Sequence, residues 1–180
     1  QFGDVHTNIR NLDKSISLGL INPKPSPEFP VTIHWNYDML MRDERMMMLL
    51  GELHANRVKA LPANTPINEA EFSVFSQTGE DGIIQFILAH TPNVPKSFIE
   101  FGVGTYIEAN TRFLLKNNYW RGLLLEAEES FVRYIKTDKI CWSYDLTVVQ
   151  SFITIDNINQ LIGDAGFYGD IGLLSVDIDG

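Results

Sequence analysis

Residues 97–110 read SFIEFGVGTYIEAN, and the change of character along this stretch decides the fold. Phe98, Ile99 and Phe101 form a short apolar run of the kind that makes a strand buried on both faces. Gly102 and Gly104 follow with no spacer. Residues without a Cβ let the chain turn sharply and let a ligand lie against bare backbone. From residue 107 to residue 115 the pattern reads as the start of a helix, whose free N–H groups and dipole would face whatever sits over the glycines. Strand, glycine turn and helix make half of a nucleotide site. A GxGxxG or GxGxG motif would carry a third glycine, and Tyr106 stands in its place.

The next stretch, WRGLLLEA at residues 120–127, is a second apolar strand entered through Gly122 and ending in Glu126. This acid falls about 20 residues after the glycine turn, the distance at which a carboxylate on the tip of the neighbouring strand meets ribose hydroxyls. A carboxylate accepts two hydroxyl hydrogen bonds and repels a 2′-phosphate. The plainer alternative is a solvated acid at a strand end.

The chain has 180 residues, enough for one domain, or for one domain with a tail. A hydrophobic fraction of 44% and a charged fraction of 21% are those of an ordinary globular protein with a sizeable core. Net charge −9 argues against nucleic acid, because phosphate binding needs a basic stripe and the sequence has no run of Lys or Arg. An acidic surface favours small-molecule or neutral substrates. Cys141 is the only cysteine, which excludes an internal disulfide and favours a reducing compartment. A small buried residue is the expected role for it, rather than a nucleophile. No apolar stretch approaches the ~18 residues of a membrane span, and the opening QFGDVHTN lacks a signal-peptide pattern, so a cytoplasmic location is expected. The sequence begins at Gln1 and stops at Gly180 directly after a strand pattern, so processing or cutting at both ends is expected.

Residues 1–68 read as an N-terminal arm and helical region. Pro23, Pro25, Pro27 and Pro30 forbid a continuing helix near the start. Residues 36–59 then show helical recurrence through Tyr37, Leu40, Met41, Met47, Met48, Leu50, Leu53 and Val58, predicting one or two helices. The run Met46, Met47, Met48 reads as core filler rather than as an adaptable ligand surface.

Residues 69–180 read as the binding domain. A dense polar knot, SQTGEDG at residues 76–82, leads into the amphipathic run Ile83, Ile84, Phe86, Ile87 and Leu88. Thr78 or Ser76 could cap this helix, with Glu80 and Asp81 complementing its dipole. Equally, the knot precedes the first strand and would lie near the glycine turn, so Gln77, Thr78 and Glu80 could reach a ligand there. Residues 128–140 read as a helix and 147–153, TVVQSFI, as a β-branched third strand. Thr154 or Asp156 caps a short helix that runs to Gly163. The fourth strand is 171–179, IGLLSVDID, and alternation puts Asp177 and Asp179 on one face at its C-terminal end. In an open parallel sheet, that end binds ligands. The expected fold is therefore α/β, a partial Rossmann-like, doubly wound parallel sheet of about four strands near Phe98, Leu123, Val149 and Leu173, preceded by a helical region.

The combination of SQTGEDGIIQFI, FIEFGVGTYIEANTRFLLKNNYWRGLLLEAEES, FITIDNINQLI and LLSVDIDG resembles class I S-adenosylmethionine-dependent methyltransferases. Within that class it looks like the FkbM-like enzymes of bacterial sugar and glycan gene clusters, over residues 75–180. The resemblance implies that Glu100, Gly102 and Gly104 hold the methionine portion of S-adenosylmethionine and that Glu126 binds its ribose. It puts residues 152–154, with Phe152 and Thr154, near adenine. It implies that Asp177 and Asp179 face the transferred methyl and the acceptor, as a base or as part of a divalent-metal (Mg²⁺) site. The acceptor would be a hydroxyl of a sugar, glycan or other small molecule. The family fold continues with further strands past the DIDG position, so a chain ending there would be inactive alone unless a second chain, as in a homo-oligomer, completes the sheet. Two other readings stand beside this one. A Rossmann-type binder of NAD or a nucleotide sugar is disfavoured by the missing glycine and by the acid before Gly102, and a non-catalytic interaction domain is favoured by the proline-rich arm.

Overall fold

The computed structural model describes residues 31–178, with side chains from residue 43 onward. The chain divides into two compact units, Gln1–Arg42 and Asp43–Gly180, and the second carries the sheet. The proline-rich arm, the side chains of Tyr37, Leu40 and Met41, and Asp179 lie outside the described residues.

Helix α1, Val31–Lys59, is a single helix where one or two were expected. In its second half a strip of Gly51, Ala55 and Val58 packs most closely on the α/β unit, flanked by Met48 and by His54 against Phe72. Ala55 packs with Val74 and Phe113, and Val58 with Ala70 and Phe86. Small residues on that strip bring the helix axis close to the body, and the bulky ones are turned outward. The expectation that Met46–Met48 fill the core is thereby corrected, because Met48 packs on this cluster while Met46 and Met47 are exposed. Leu50 and Leu53 are exposed as well. The second unit thus includes helical residues that the sequence grouped with the N-terminal region.

A 3-10 turn, Ile67–Ala70, precedes helix α2, Glu80–His90. Strand β1, Ser97–Phe101, and helix α3, Arg112–Asn118, flank the glycine stretch. Strand β2, Arg121–Glu126, follows, then helices α4, Glu129–Thr137, and α5, Ile140–Ser143. The helix expected over residues 128–140 is α4, which stops at Thr137 because the chain turns at Asp138, whose carboxylate accepts the Ile140 N–H at the start of the separate short α5. Strand β3, Leu146–Gln150, helix α6, Ile158–Asp164, and strand β4, Leu173–Val176, complete the described chain.

All strand pairs are parallel, and the sheet order is β3-β2-β1-β4. The fold is α/β, preceded by a helical region and consistent with a Rossmann-like sheet. Ile99 and Phe101 of β1, with Leu123 and Leu125 of β2, meet Phe167 and α6 on one face. On the other face Phe98, Leu124 and Val148 meet Tyr106, Leu114, Leu115, Val132 and Ile135. The chain steps from β1 outward to β3, then crosses back to β4 on the far side of β1. Strand order therefore reverses between β1 and β4, the place where open parallel sheets leave a crevice beyond the carboxyl ends of their strands.

Candidate functional site at the carboxyl end of the sheet

Gly102 and Gly104 have φ of +72° and +53°, in the left-handed region that residues with a Cβ disfavour. Gly102 also packs tightly. Its N–H donates to the Leu125 carbonyl at 3.2 Å, and a Cβ added to it would collide with the Asp177 carbonyl oxygen. Asp177 in turn donates its N–H to the Phe101 carbonyl at 3.1 Å, which ties the chain after β4 to the end of β1. Gly104 is different, because a Cβ there would have no neighbour within 4 Å. Its backbone faces open space, as a ligand cradle requires.

The Gly104 N–H donates to Glu126 Oε2 at 2.9 Å, and the other oxygen of that carboxylate accepts the Glu128 N–H at 2.9 Å. Glu126 therefore sits at the tip of β2, buried, against the glycine loop itself. Tyr106 has φ +59°, so the position where a glycine was missing does adopt a glycine-like conformation. Its ring is fully buried among Phe98, Leu114 and Leu115, with its hydroxyl 3.0 Å from Thr111 Oγ1. Core packing holds the strained backbone in place.

Helix α3 begins at Arg112 rather than near residue 107, and the two amides just before it, those of Asn110 and Thr111, are already taken. Glu100 Oε1 accepts from Asn110 N–H at 3.0 Å and Ser175 Oγ at 3.0 Å. Oε2 accepts from Thr111 Oγ1 at 2.5 Å and Thr111 N–H at 3.3 Å. Burial raises the Glu100 pKa, and the bonds from Thr111 and Ser175 oppose that rise. In this arrangement Glu100 braces β1, β4 and the entry to α3 together.

The polar knot lies against the same stretch, since Ala109 N–H donates to the Phe75 carbonyl at 3.0 Å and the Arg112 guanidinium lies over both the Phe75 and Tyr106 rings. Asp81 organises it. Its Oδ2 accepts the N–H groups of Val74 and Phe75, each at 2.7 Å, and of Ser76 at 3.0 Å, while Oδ1 is buried without a protein partner. Burial raises the Asp81 pKa against those hydrogen bonds. Ser76 Oγ accepts the Asp81 N–H at 3.0 Å, so Ser76 satisfies a first-turn amide of α2. Thr78 instead donates its hydroxyl to Glu80 Oε1 at 2.5 Å and its N–H to Oε2 at 2.9 Å, and these bonds lower the Glu80 pKa. Gln77 and Thr78 are exposed and Glu80 is half-buried.

Beyond β3 the Ser151 N–H donates to the Glu126 carbonyl at 2.9 Å, so the loop bearing Phe152 and Thr154 leaves the sheet beside Glu126. The third strand ends at Gln150, short of Ile153, and Phe152 is exposed. Thr154 and Asn157 bond reciprocally, with Thr154 N–H donating to Asn157 Oδ1 at 2.8 Å and Asn157 N–H to Thr154 Oγ1 at 3.3 Å. Thr154 thus orders the turn before α6, but the N-cap of that helix is Asn157, so neither Thr154 nor Asp156 caps it as expected. Asp177 follows the end of β4 and is exposed. Among the described residues no group of three or more His, Cys, Asp or Glu is placed to hold a metal ion. Asp177 alone does not make a Mg²⁺ site, and Asp179 lies outside the described residues.

Gly102, Gly104, Glu126, Phe152, Thr154 and Asp177 thus share one end of the sheet, while Glu100 faces inward beneath it. Asp81, Asn110, Ser175 and the backbone of Tyr106 were not singled out by the sequence for the roles they have here. Only Asp81 carried a signal, an acid followed by Gly82 inside a polar knot. No helix among the described residues is long and apolar enough to cross a membrane. No protein-family model matches the chain, and the searches of curated proteins and of solved structures returned no match.

Proposed function

We propose that this chain binds S-adenosylmethionine across the carboxyl end of its sheet, for methyl transfer to a hydroxyl of a sugar, glycan or other small molecule. The observation that carries this reading is the bond between Gly104 N–H and Glu126 Oε2, which joins an open left-handed glycine to an acid at the tip of the neighbouring strand. A carboxylate held there is in position to exchange an amide for ribose hydroxyls. When bound, the cofactor supplies an electrophilic methyl group on a sulfonium. The chain has to align that group with the acceptor and take up a proton. Asp177, exposed beside Gly102, is the described carboxylate available for the proton. The Cys141 thiol donates to the Ile135 carbonyl and burial raises its pKa, which supports a structural role rather than a nucleophilic one.

Glu100 favours this reading over a dinucleotide site. A pyrophosphate is held by free N–H groups at a helix N-terminus, but the two amides leading into α3, those of Asn110 and Thr111, already bind a buried carboxylate. A second anion placed there would be repelled. The edge strand favours one other reading, a non-catalytic interaction domain. Leu174 and Val176 are exposed, and β4 has no outer neighbour among the described residues.

Parallel calorimetric titrations with S-adenosylhomocysteine and with NAD test the proposal. Saturable binding of the first alone is expected. Binding of NAD alone would overturn it, and binding of neither would favour the interaction domain.

A further inference from the structure

The opposite end of the sheet carries a cavity that the proposed transfer site does not use. Strands β2 and β3 start side by side, with Gly122 N–H donating to the Asp145 carbonyl at 2.8 Å. The residues just before each strand therefore converge. Tyr119, Trp120, Trp142, Ser143, Tyr144 and Asp145 line a cavity of about 260 Å³. Trp120 is buried and belongs to the core, but Tyr119 and Trp142 are 77% and 79% exposed. The Tyr119 and Tyr144 rings lie 6.1 Å apart, tilted by 30°.

Tyr144 is partly buried against the core, but folding does not account for the Tyr119 ring. Tyr119 ends α3 with φ +55°, a cap conformation in which glycine or asparagine is favoured. Its backbone N–H satisfies the Leu114 carbonyl, which a glycine would do equally well. Its side chain neither caps the helix nor fills the core. Large aromatic rings clustered in water beside an acid mark a recognition surface.

The face of an aromatic ring is electrostatically negative and attracts a cation within about 6 Å of its centroid. One ring here already does so, with Lys116 Nζ 5.4 Å from the Tyr144 centroid. The charge of that lysine is met by Glu44, 2.7 Å away. Arg121 approaches Asp145 only to 3.8 Å, since its guanidinium stacks on Phe167 and donates to the carbonyls of Ala165 and Gly166. The Asp145 carboxylate is left largely free at the rim.

We propose that this cavity binds a quaternary or methylated ammonium group, with Tyr119, Trp142 and Tyr144 supplying ring faces and Asp145 the opposing charge. The net charge of −9 draws cations toward it. A neutral pyranose could stack on the same rings but would gain nothing from that charge.

The full chain is titrated at constant ionic strength with choline, with its neutral isostere 3,3-dimethylbutan-1-ol and with methyl glucoside, and binding is read by calorimetry. Saturable millimolar binding of choline is expected, at least tenfold tighter than the alcohol. Trp142→Ala should weaken it at least tenfold with an unchanged Tm, because that ring is exposed. Tyr119→Gly should weaken it similarly while raising Tm, because glycine relieves the backbone conformation. Equal binding of the alcohol, binding of the glucoside in place of choline, or no saturable choline binding overturns the proposal. So does full choline affinity in both variants.

Discussion

The Glu126 carboxylate and the Gly104 amide are in direct contact, 2.9 Å apart, so the tip of β2 sets the shape of the glycine loop as well as offering an acid to a ligand. Glu126→Ala removes both roles. Hydrogen bonds to a charged group contribute about 1.5–3 kcal/mol each, so affinity for S-adenosylhomocysteine should fall at least about tenfold. Calorimetry reads this directly. Unchanged binding would reduce Glu126 to a brace for the loop.

The two glycines should separate folding from binding. At Gly102 an alanine meets both the left-handed strain, about 1–2 kcal/mol, and the Asp177 carbonyl, with overpacking adding about 1–3 kcal/mol. At Gly104 only the strain applies, since the added carbon touches nothing. Denaturant midpoints should therefore drop more for Gly102→Ala than for Gly104→Ala. The second variant should still fold and yet lose ligand affinity, because its methyl fills the open side of the cradle. Equal stability losses would mean that the loop is looser than described.

Restoring a glycine at Tyr106 should destabilise the protein. The change relieves about 1–2 kcal/mol of left-handed strain but empties a fully buried aromatic site, a loss of about 3–5 kcal/mol. A net loss of roughly 1–4 kcal/mol is expected in urea unfolding. The milder Tyr106→Phe removes only the hydroxyl near Thr111 and should cost about 1 kcal/mol. A Tyr106→Gly variant as stable as the parent would show that the ring contributes little.

Asp81 gives the stability a defined pH dependence. Burial raises its folded pKa above the unfolded value near 3.8, so the folded state holds the proton more tightly. Its contribution to stability is greatest below that value and is lost as pH rises through the raised folded pKa. Asp81→Asn can keep an oxygen on the amides of Val74, Phe75 and Ser76 and turn its NH₂ toward the side where Oδ1 has no partner. The variant's unfolding free energy should vary less with pH across this window than the parent's. Identical slopes for the two proteins would remove Asp81 as the source.

Strands β1 and β2 were legible because each is an apolar run punctuated by glycine or an acid, and pairing partners extend along their whole length. The third was read too long. Phe152 and Ile153 have strand-forming side chains, but β2 supplies no partner after Glu126, which pairs with Gln150. The fourth was also overextended, because β1 turns away at Gly102 and the last pair is Phe101 with Val176. The role of Glu100 was hidden for another reason. Its donors come from Asn110, Thr111 and Ser175, brought together only by the sheet and the turn into α3. At Tyr106 the sequence showed the departure from the motif, but not that the backbone would keep a glycine-like φ.

The central place of β1 has a consequence in time as well as in space. Its amides and carbonyls are engaged by β2 on one side and β4 on the other, and residues 98–101 are all buried, whereas among the described residues β3 and β4 each have one neighbour. In native-state hydrogen exchange the β1 amides should be the last to exchange, opening only with global unfolding, and those near Asp177 should exchange early. The glycine loop is thus anchored to the strand expected to open last, and the Asp177 backbone just after β4, expected to open early, packs against Gly102. A ligand clasped between them would meet one fixed jaw and one that yields, so its binding should slow exchange most around Ser175 and Asp177.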